Sequence, residues 1–275
     1  MIKGLYTAAS GMLLGMRQQE VVADNLANSN TVGYKADQSA QTAFSGVLAR
    51  RVGASETPMP ASVETLIGRV GTGAFVENVR TFLGQGSERE TGGPLDVMVR
   101  GDGFFVVQSP DGVRYTRDGH WDRDDQQRLI TADGSLVLDD EGAPVIIESD
   151  HIRVKPDGRI MLMVATPVEA ADGSTVNEVR EQLVARLQVV NLNADDLIRA
   201  GASQFLVAPG ATVTPVDFTQ GATFVLQGSL EEANVNVGQN ATQLYSVARS
   251  YSSSQRVFSA INDTLALAVR DIGRV

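Results

Sequence analysis

The stretch Leu244–Ile272, LYSVARSYSSSQRVFSAINDTLALAVRDI, decides how the rest of the chain is read. Counted in sevens, Leu244, Tyr251, Phe258, Leu265 and Ile272 hold the first position, and Val247, Ser254, Ile261 and Ala268 the fourth. A 3-4 spacing kept over four heptads predicts a long helix whose seam packs on other helices. The flanking positions lack the usual Glu and Lys: Ala248, Gln255, Asn262 and Val269 stand on one side, Ser250, Val257, Thr264 and Asp271 on the other. Charge gathers opposite the seam, on Arg249, Arg256, Asp263 and Arg270. Such a helix has neighbours on most sides and one narrow line left for water or for an oppositely charged neighbour.

The other end of the chain is helical too. Leu5, Ala9, Met12, Met16, Gln19, Ala23 and Leu26 recur at helical spacing. A second line, Ala8, Gly11 and Gly15, carries almost no side chain. Glycine inside a helix costs roughly 1 kcal/mol against alanine, so two of them point to another backbone passing close by. The Gly11–Gly15 spacing resembles a membrane dimerisation motif, but its surroundings are too polar and too short for one. The helix should stop within residues 25–35, where Asn25, Asn28, Thr31, Gly33, Tyr34 and Lys35 lie. Asparagine tolerates the left-handed conformation and Gly33 adopts it freely.

Between the helices the character changes. The 275 residues allow a sizeable core, while 27 glycines and 5% aromatics favour short strands and turns. The formal charge of −10 resides in the middle: residues 94–230 carry eleven basic and twenty-one acidic side chains, whereas both ends are near neutral. Residues 36–93 have no sustained period and hold Pro58, Pro60 and repeated glycines, so they read as a connector, with helix expected over 40–51. From Leu95 on, short apolar runs alternate with turn signals: 95–99, 104–108, 136–138, 145–147, 160–164, 183–191, 205–208 and 223–226. Six Asp-Gly steps, at 102, 111, 118, 133, 157 and 172, are strong hairpin signals. An antiparallel sandwich or partly closed barrel inserted between the two helices follows, giving an α+β fold.

Enzymatic and ligand-binding readings are poorly supported. Without cysteine there is no disulfide or thiolate chemistry, and His120 and His151 have no cysteine beside them for a zinc site. Residues 101–106 lack the third glycine of a dinucleotide fingerprint and sit between strands. The Gly68, Gly71 and Gly73 cluster is not followed by the lysine and hydroxyl of a phosphate loop. Asp118, Asp122, Asp124 and Asp125 lack the closing Glu of a calcium loop and read as a solvated turn. No Gly-x-Ser-x-Gly elbow occurs. Glu231 and Glu232, just ahead of the closing helix, read as companions of its positive end. No basic stripe exists for nucleic acid, and no apolar run has the length of a membrane span. No cofactor is expected.

Several motifs together resemble a known family. They are Gly4-Leu5-Tyr6-Thr7-Ala8-Ala9-Ser10-Gly11-Met12, Asn25-Leu26-Ala27-Asn28, and Thr31 followed by Gly33-Tyr34-Lys35. Leu95-Asp96, Gly101-Asp102-Gly103-Phe104-Phe105-Val106, Tyr115-Thr116-Arg117-Asp118-Gly119, Ile130-Thr131-Ala132-Asp133-Gly134 and the run Gln227–Val235 continue them in order. The set resembles bacterial flagellar basal-body rod and hook proteins, most of all the distal rod protein and its close relatives. That resemblance implies paired, coiled-coil-like terminal helices (residues 1–35 and 236–275), a connector (36–93) and an acidic all-β outer domain (94–235). It implies a structural subunit and no enzyme, exported by the flagellar export apparatus without a cleaved signal to the basal body outside the cytoplasmic membrane. There it would join copies of itself and neighbouring rod and hook proteins in a helical tube that transmits torque. The assembly contacts are then expected at Leu5, Met12, Met16 and Leu26 and at Leu244, Val247, Tyr251, Phe258, Ile261 and Leu265. An exported carbohydrate-binding or hydrolytic β protein, and a monomeric cap, are the alternatives from other classes.

Overall fold

The computed structural model describes residues 2–43, 47–51, 65–70, 73–149, 151–169, 175–218, 221 and 223–272. Pro58, Pro60, Gly71 and the Asp172-Gly173 step lie outside the described residues. The chain is α+β, with two long terminal helices and a large antiparallel sheet region. It divides into two units. The first comprises Met1–Leu26, Asp37–Arg80 and Val237–Val275, and the second Ala27–Ala36 and Thr81–Asn236.

The first unit holds helix α1, Ile2–Ala27 up to Leu26, and helix α2, Val237–Ile272. Along α2 every position from 249 to 270 is exposed except Tyr251, Ser254, Phe258, Ile261, Leu265 and Ala268, which are partly shielded. The shielded line is therefore the heptad seam read from the sequence, and Val247 on it is buried. What it meets on α1 is the small-residue line. A Cβ built on Gly4 would lie 3.1 Å from Ile261 Cδ1, one on Gly11 3.1 Å from Ser254 Oγ, and one on Gly15 3.4 Å from Tyr251 Cβ. Positions increasing along α1 meet positions decreasing along α2, so the two helices run antiparallel where they touch. Buried Ala8, Gln18, Val22 and Asn25 extend the same face of α1.

Serines and threonines are poor helix formers because their hydroxyls compete for backbone groups. In α2 three of them bond back to the preceding turn instead: Thr242 Oγ1 donates to the Gln239 carbonyl at 2.8 Å, Ser252 Oγ to that of Ala248 at 3.0 Å, and Thr264 Oγ1 to that of Ala260. No helix among the described residues is long and apolar enough to cross a membrane.

The described residues of 40–51, at 40–43 and 47–51, are strand and not the expected helix. Residues Asp37–Ala43 form a strand paired with Ala74–Thr81, and Val47–Arg51 pairs antiparallel with Thr65–Val70. Two alanines and two glutamines favour helix locally, but long-range pairing supplies a hydrogen-bonding partner for the extended form, and tertiary context overrides so weak a preference. Asn25 reinforces that choice within this unit. Its Oδ1 accepts from the Asp37 amide at 2.9 Å and its Nδ2 donates to the Asp37 carbonyl at 2.8 Å, as a neighbouring strand would.

The second unit is built on strand Phe104–Ser109. It is paired antiparallel with Gly112–Thr116, Leu136–Val137 and Val189–Asn191. Alternate side chains serve two cores: Phe105 and Val107 join Trp121, Leu129 and Ile160, while Phe104 and Val106 join Leu138, Val190 and Phe205. Burial on both faces explains the uninterrupted apolar run 104–107.

Three Asp-Gly steps turn hairpins here. Gly112, Gly134 and Gly158 have φ of 133°, 77° and 79°. The Asp118-Gly119 step does not; Gly119 packs against the Val97 carbonyl, where a Cβ would overlap the oxygen. Of the expected strands, 145–147 is reduced to one isolated bridge, Ile146 with Arg128, and 183–191 is broken into the end of Thr175–Arg186 and Val189–Asn191.

Candidate functional site

The turn that the sequence singles out leads into the interior of the second unit. Thr31 closes onto Asn28, its amide on the Asn28 carbonyl at 3.0 Å and its hydroxyl on Asn28 Oδ1 at 3.2 Å. Gly33 is left-handed, φ 67°, and its amide donates to the Glu231 carbonyl at 2.8 Å. A Cβ at this position would overlap the peptide between Arg117 and Asp118, 2.7 Å from the Arg117 oxygen. Both the φ value and the space demand glycine. Tyr34 and Lys35 follow, and both are buried.

Lys35 ends in a charge centre closed to solvent. Its Nζ donates to Glu231 Oε1 at 2.6 Å and to the Gly84 carbonyl at 3.0 Å. Glu231 Oε1 also accepts from the Gly86 amide at 2.8 Å, and Oε2 from Arg117 Nη1 at 3.2 Å. Arg117 donates further to the Val99 and Gly101 carbonyls at 3.2 and 2.8 Å and lies over the Phe104 ring. All three side chains are no more than 3% exposed. Burial, opposed by the Glu231 carboxylate, holds the Lys35 ammonium below the usual lysine range and the Arg117 guanidinium below its own. The carbonyls of Gly84, Val99 and Gly101 offset part of the cost of setting two cations on one carboxylate, while Arg117 Nε has no hydrogen-bond partner among the described residues.

The rim of this centre is also ordered. Arg199 stacks on Tyr34 and Phe205, 4.7 and 5.1 Å from the ring centres, and donates to the Lys35 carbonyl. Strand Ser229–Glu231 is held by antiparallel pairing with Glu88–Glu90. Glu231 is thus no companion of a helix end: α2 begins at Val237 with no acid in its first turn. Sequence reading missed its role because an acid before a helix is most simply explained by the helix itself. A centre built this way is closed to solvent and ties three remote segments together.

The remaining polar candidates are dispersed. Asp118 is buried, its Oδ1 accepting from the His120 amide at 3.0 Å, whereas Asp122 and Asp125 are exposed and Asp124 binds Arg128. His120 Nδ1 lies 2.7 Å from Asp96 Oδ1. Among the described residues no three His, Cys, Asp or Glu side chains converge as a metal site would need.

The residues expected at an assembly interface are on the helices of the first unit. Leu5, Met12 and Leu26 are half-buried and Met16 is 47% exposed. On α2, Val247 is buried and Leu244, Tyr251, Phe258, Ile261 and Leu265 are half-buried.

Comparison with known proteins places these segments. Residues 5–35 match the model "Flagella basal body rod protein", 98–162 "Flagellar hook protein FlgE/F/G D1 domain" and 226–270 "Flagellar basal body rod FlgEFG protein C-terminal". Lys35, Arg117 and Glu231 come one from each matched segment. The flagellar hook-basal body complex protein FlhO of Bacillus subtilis (strain 168) is 27% identical, with all of both chains covered. The basal-body rod protein FlgF of Mesorhizobium japonicum is 28% identical over 98% of this chain and 97% of its own. The basal-body rod protein FlgG of Caulobacter vibrioides is 29% identical over 96% and 97%. With both ends and the middle matched in order, and relatives aligned nearly end to end, the chain belongs to the flagellar basal-body rod protein family.

Proposed function

We propose that this chain is a structural subunit of the flagellar rod, without enzymatic activity, that assembles through its terminal helices into a torque-transmitting tube. The observation that carries the reading is the incomplete cover of α1 and α2. Tyr6, Leu13 and Met16 on α1, and Tyr245, Val257, Leu267 and Val269 on α2, remain 47–79% exposed. The seam residues Tyr251, Phe258, Ile261 and Leu265 are only half covered by the glycine line of α1. Apolar surface distributed around two long helices is what further helices would bury, each buried side chain contributing about 1.5–3 kcal/mol. Coiled-coil-like pairing, completed by helices of other copies, is the arrangement this favours.

The partners are then copies of the chain and neighbouring rod and hook proteins. The export apparatus delivers it, without a cleaved signal, to the basal body beyond the cytoplasmic membrane. Residues 1–35 and 236–275 act as the assembly region, 36–93 as connector and 94–235 as the outer body. Sedimentation and electron microscopy of the full chain test this. Tubes or large oligomers are expected from the parent chain, and none from Phe258→Asp; a parent chain that stays monomeric at high concentration would overturn it.

A further inference from the structure

We propose that Asn234 is a positioning residue that fastens together three of the four places where the chain passes between the β unit and the helical unit. The chain passes at 26/27, 36/37, 80/81 and 236/237. Within the β unit, Asn234 Oδ1 accepts from the Ala36 amide at 2.7 Å, and Nδ2 donates to the Phe82 and Gly84 carbonyls at 2.8 and 2.7 Å. Its own amide donates to the Tyr34 carbonyl at 3.3 Å, and the Phe82 amide donates to that of Ala36 at 2.7 Å. Residues 36, 82 and 234 each lie within two positions of a passage.

The chemistry leaves little choice of side chain. The site presents one N–H and two carbonyls to a single short side chain, so the amide can face only one way. Aspartate would keep the acceptor, lose both donors and set a carboxylate against two carbonyl oxygens. Alanine would strand a buried amide, at a cost typical of an unsatisfied group. On its own side of the 36/37 passage, the helical unit does the same with Asn25, whose carboxamide takes both backbone groups of Asp37. All four backbone polar groups of Ala36 and Asp37 are therefore bound, two within each unit. Two asparagines bind three of these groups, and the Phe82 amide takes the fourth.

The consequence for assembly rests on the proposed rod function: if the helices assemble, the segments of the β unit next to the passages must be held together, and Asn234 holds them. Hydrogen exchange on the full chain tests the fastener independently of assembly. In Asn234→Ala the Ala36 and Phe82 amides should exchange at least tenfold faster, while Val97, Val106 and Leu129 keep their protection. Asn234→Asp should accelerate Phe82 and spare Ala36. Unchanged exchange at Ala36 and Phe82, or equal acceleration at all five amides, would overturn the proposal.

Sedimentation then reads the consequence, with Asn234→Ala expected to lose large assemblies although its β unit is folded. Full assembly of Asn234→Ala beside failure of Phe258→Asp would reject the positioning role and leave the rod reading intact. Assembly of Phe258→Asp would reject the seam instead, with the exchange result still deciding the fastener.

Discussion

Lys35 and Glu231, 196 residues apart in sequence, place Nζ and Oε1 2.6 Å from each other in a site closed to solvent. Arg117 completes the centre from a third segment. The carboxylate answers two cations, so the three residues are unequal, and the order of their mutational costs follows. Glu231→Gln leaves both Lys35 and Arg117 without a counter-charge, and should cost about 3–5 kcal/mol. Lys35→Met leaves a matched Arg117–Glu231 pair and should cost distinctly less. Urea midpoints of the two variants measure the difference; equal losses would show that the centre works through packing and not charge.

Gly33 is constrained twice, by its φ of 67° and by the Arg117–Asp118 peptide against it. Gly33→Val should cost more than about 1 kcal/mol, since a β-branched residue avoids that conformation. Gly33→Ala should also destabilise, because its Cβ alone overlaps the peptide. Thermal unfolding reads both, and an Ala variant as stable as the parent would contradict the contact. Assembly of Gly33→Val should be impaired even at temperatures where the β unit is folded.

Asp118 supplies a pH dependence whose sign is unusual for a carboxylate. Burial pushes its pKa up to about 6, above the ordinary aspartate value, against the pull of the His120 amide. Below about pH 4 the carboxyl is protonated in folded and unfolded chains alike, and its burial carries no charge penalty. As pH rises through 6 the folded state must ionise a buried group, so this contribution to stability is lost. Asp118→Asn should accordingly match the parent near pH 4 and exceed it by up to about 3 kcal/mol at pH 7. A difference between the two that does not change with pH would show that the carboxyl is not held in this way.

The exposed line Arg249, Arg256, Asp263 and Arg270 lies opposite the shielded seam of α2. A single unpaired charge buried among packed helices costs several kcal/mol. The water-filled bore of a tube is therefore our preferred surroundings for the line. Arg249→Ser and Arg256→Ser should leave assembly nearly intact, while Phe258→Asp abolishes it. Sedimentation of the three variants is the measurement, and the opposite ranking would mean that α2 faces the other way.

Much of the architecture is carried by local pattern. The heptads of residues 244–268 mark the shielded line of α2, and Gly11 and Gly15 announce the close approach of another helix, because side-chain period and the absence of a side chain are themselves the geometry. Gly33 and the Asp-Gly steps at 111, 133 and 157 declare their turns for the same reason. Local pattern fails where a residue's meaning depends on a partner remote in sequence. Asp37–Ala43 is a strand because Ala74–Thr81 lies beside it, Asn25 and Asn234 are fasteners because bare backbone groups face them, and Glu231 is buried because Lys35 and Arg117 meet it there. An acid, an amide or an alanine looks the same in sequence whether solvated or enclosed. Only the tertiary structure decides which, since the energy of a buried polar group lies in the groups brought against it.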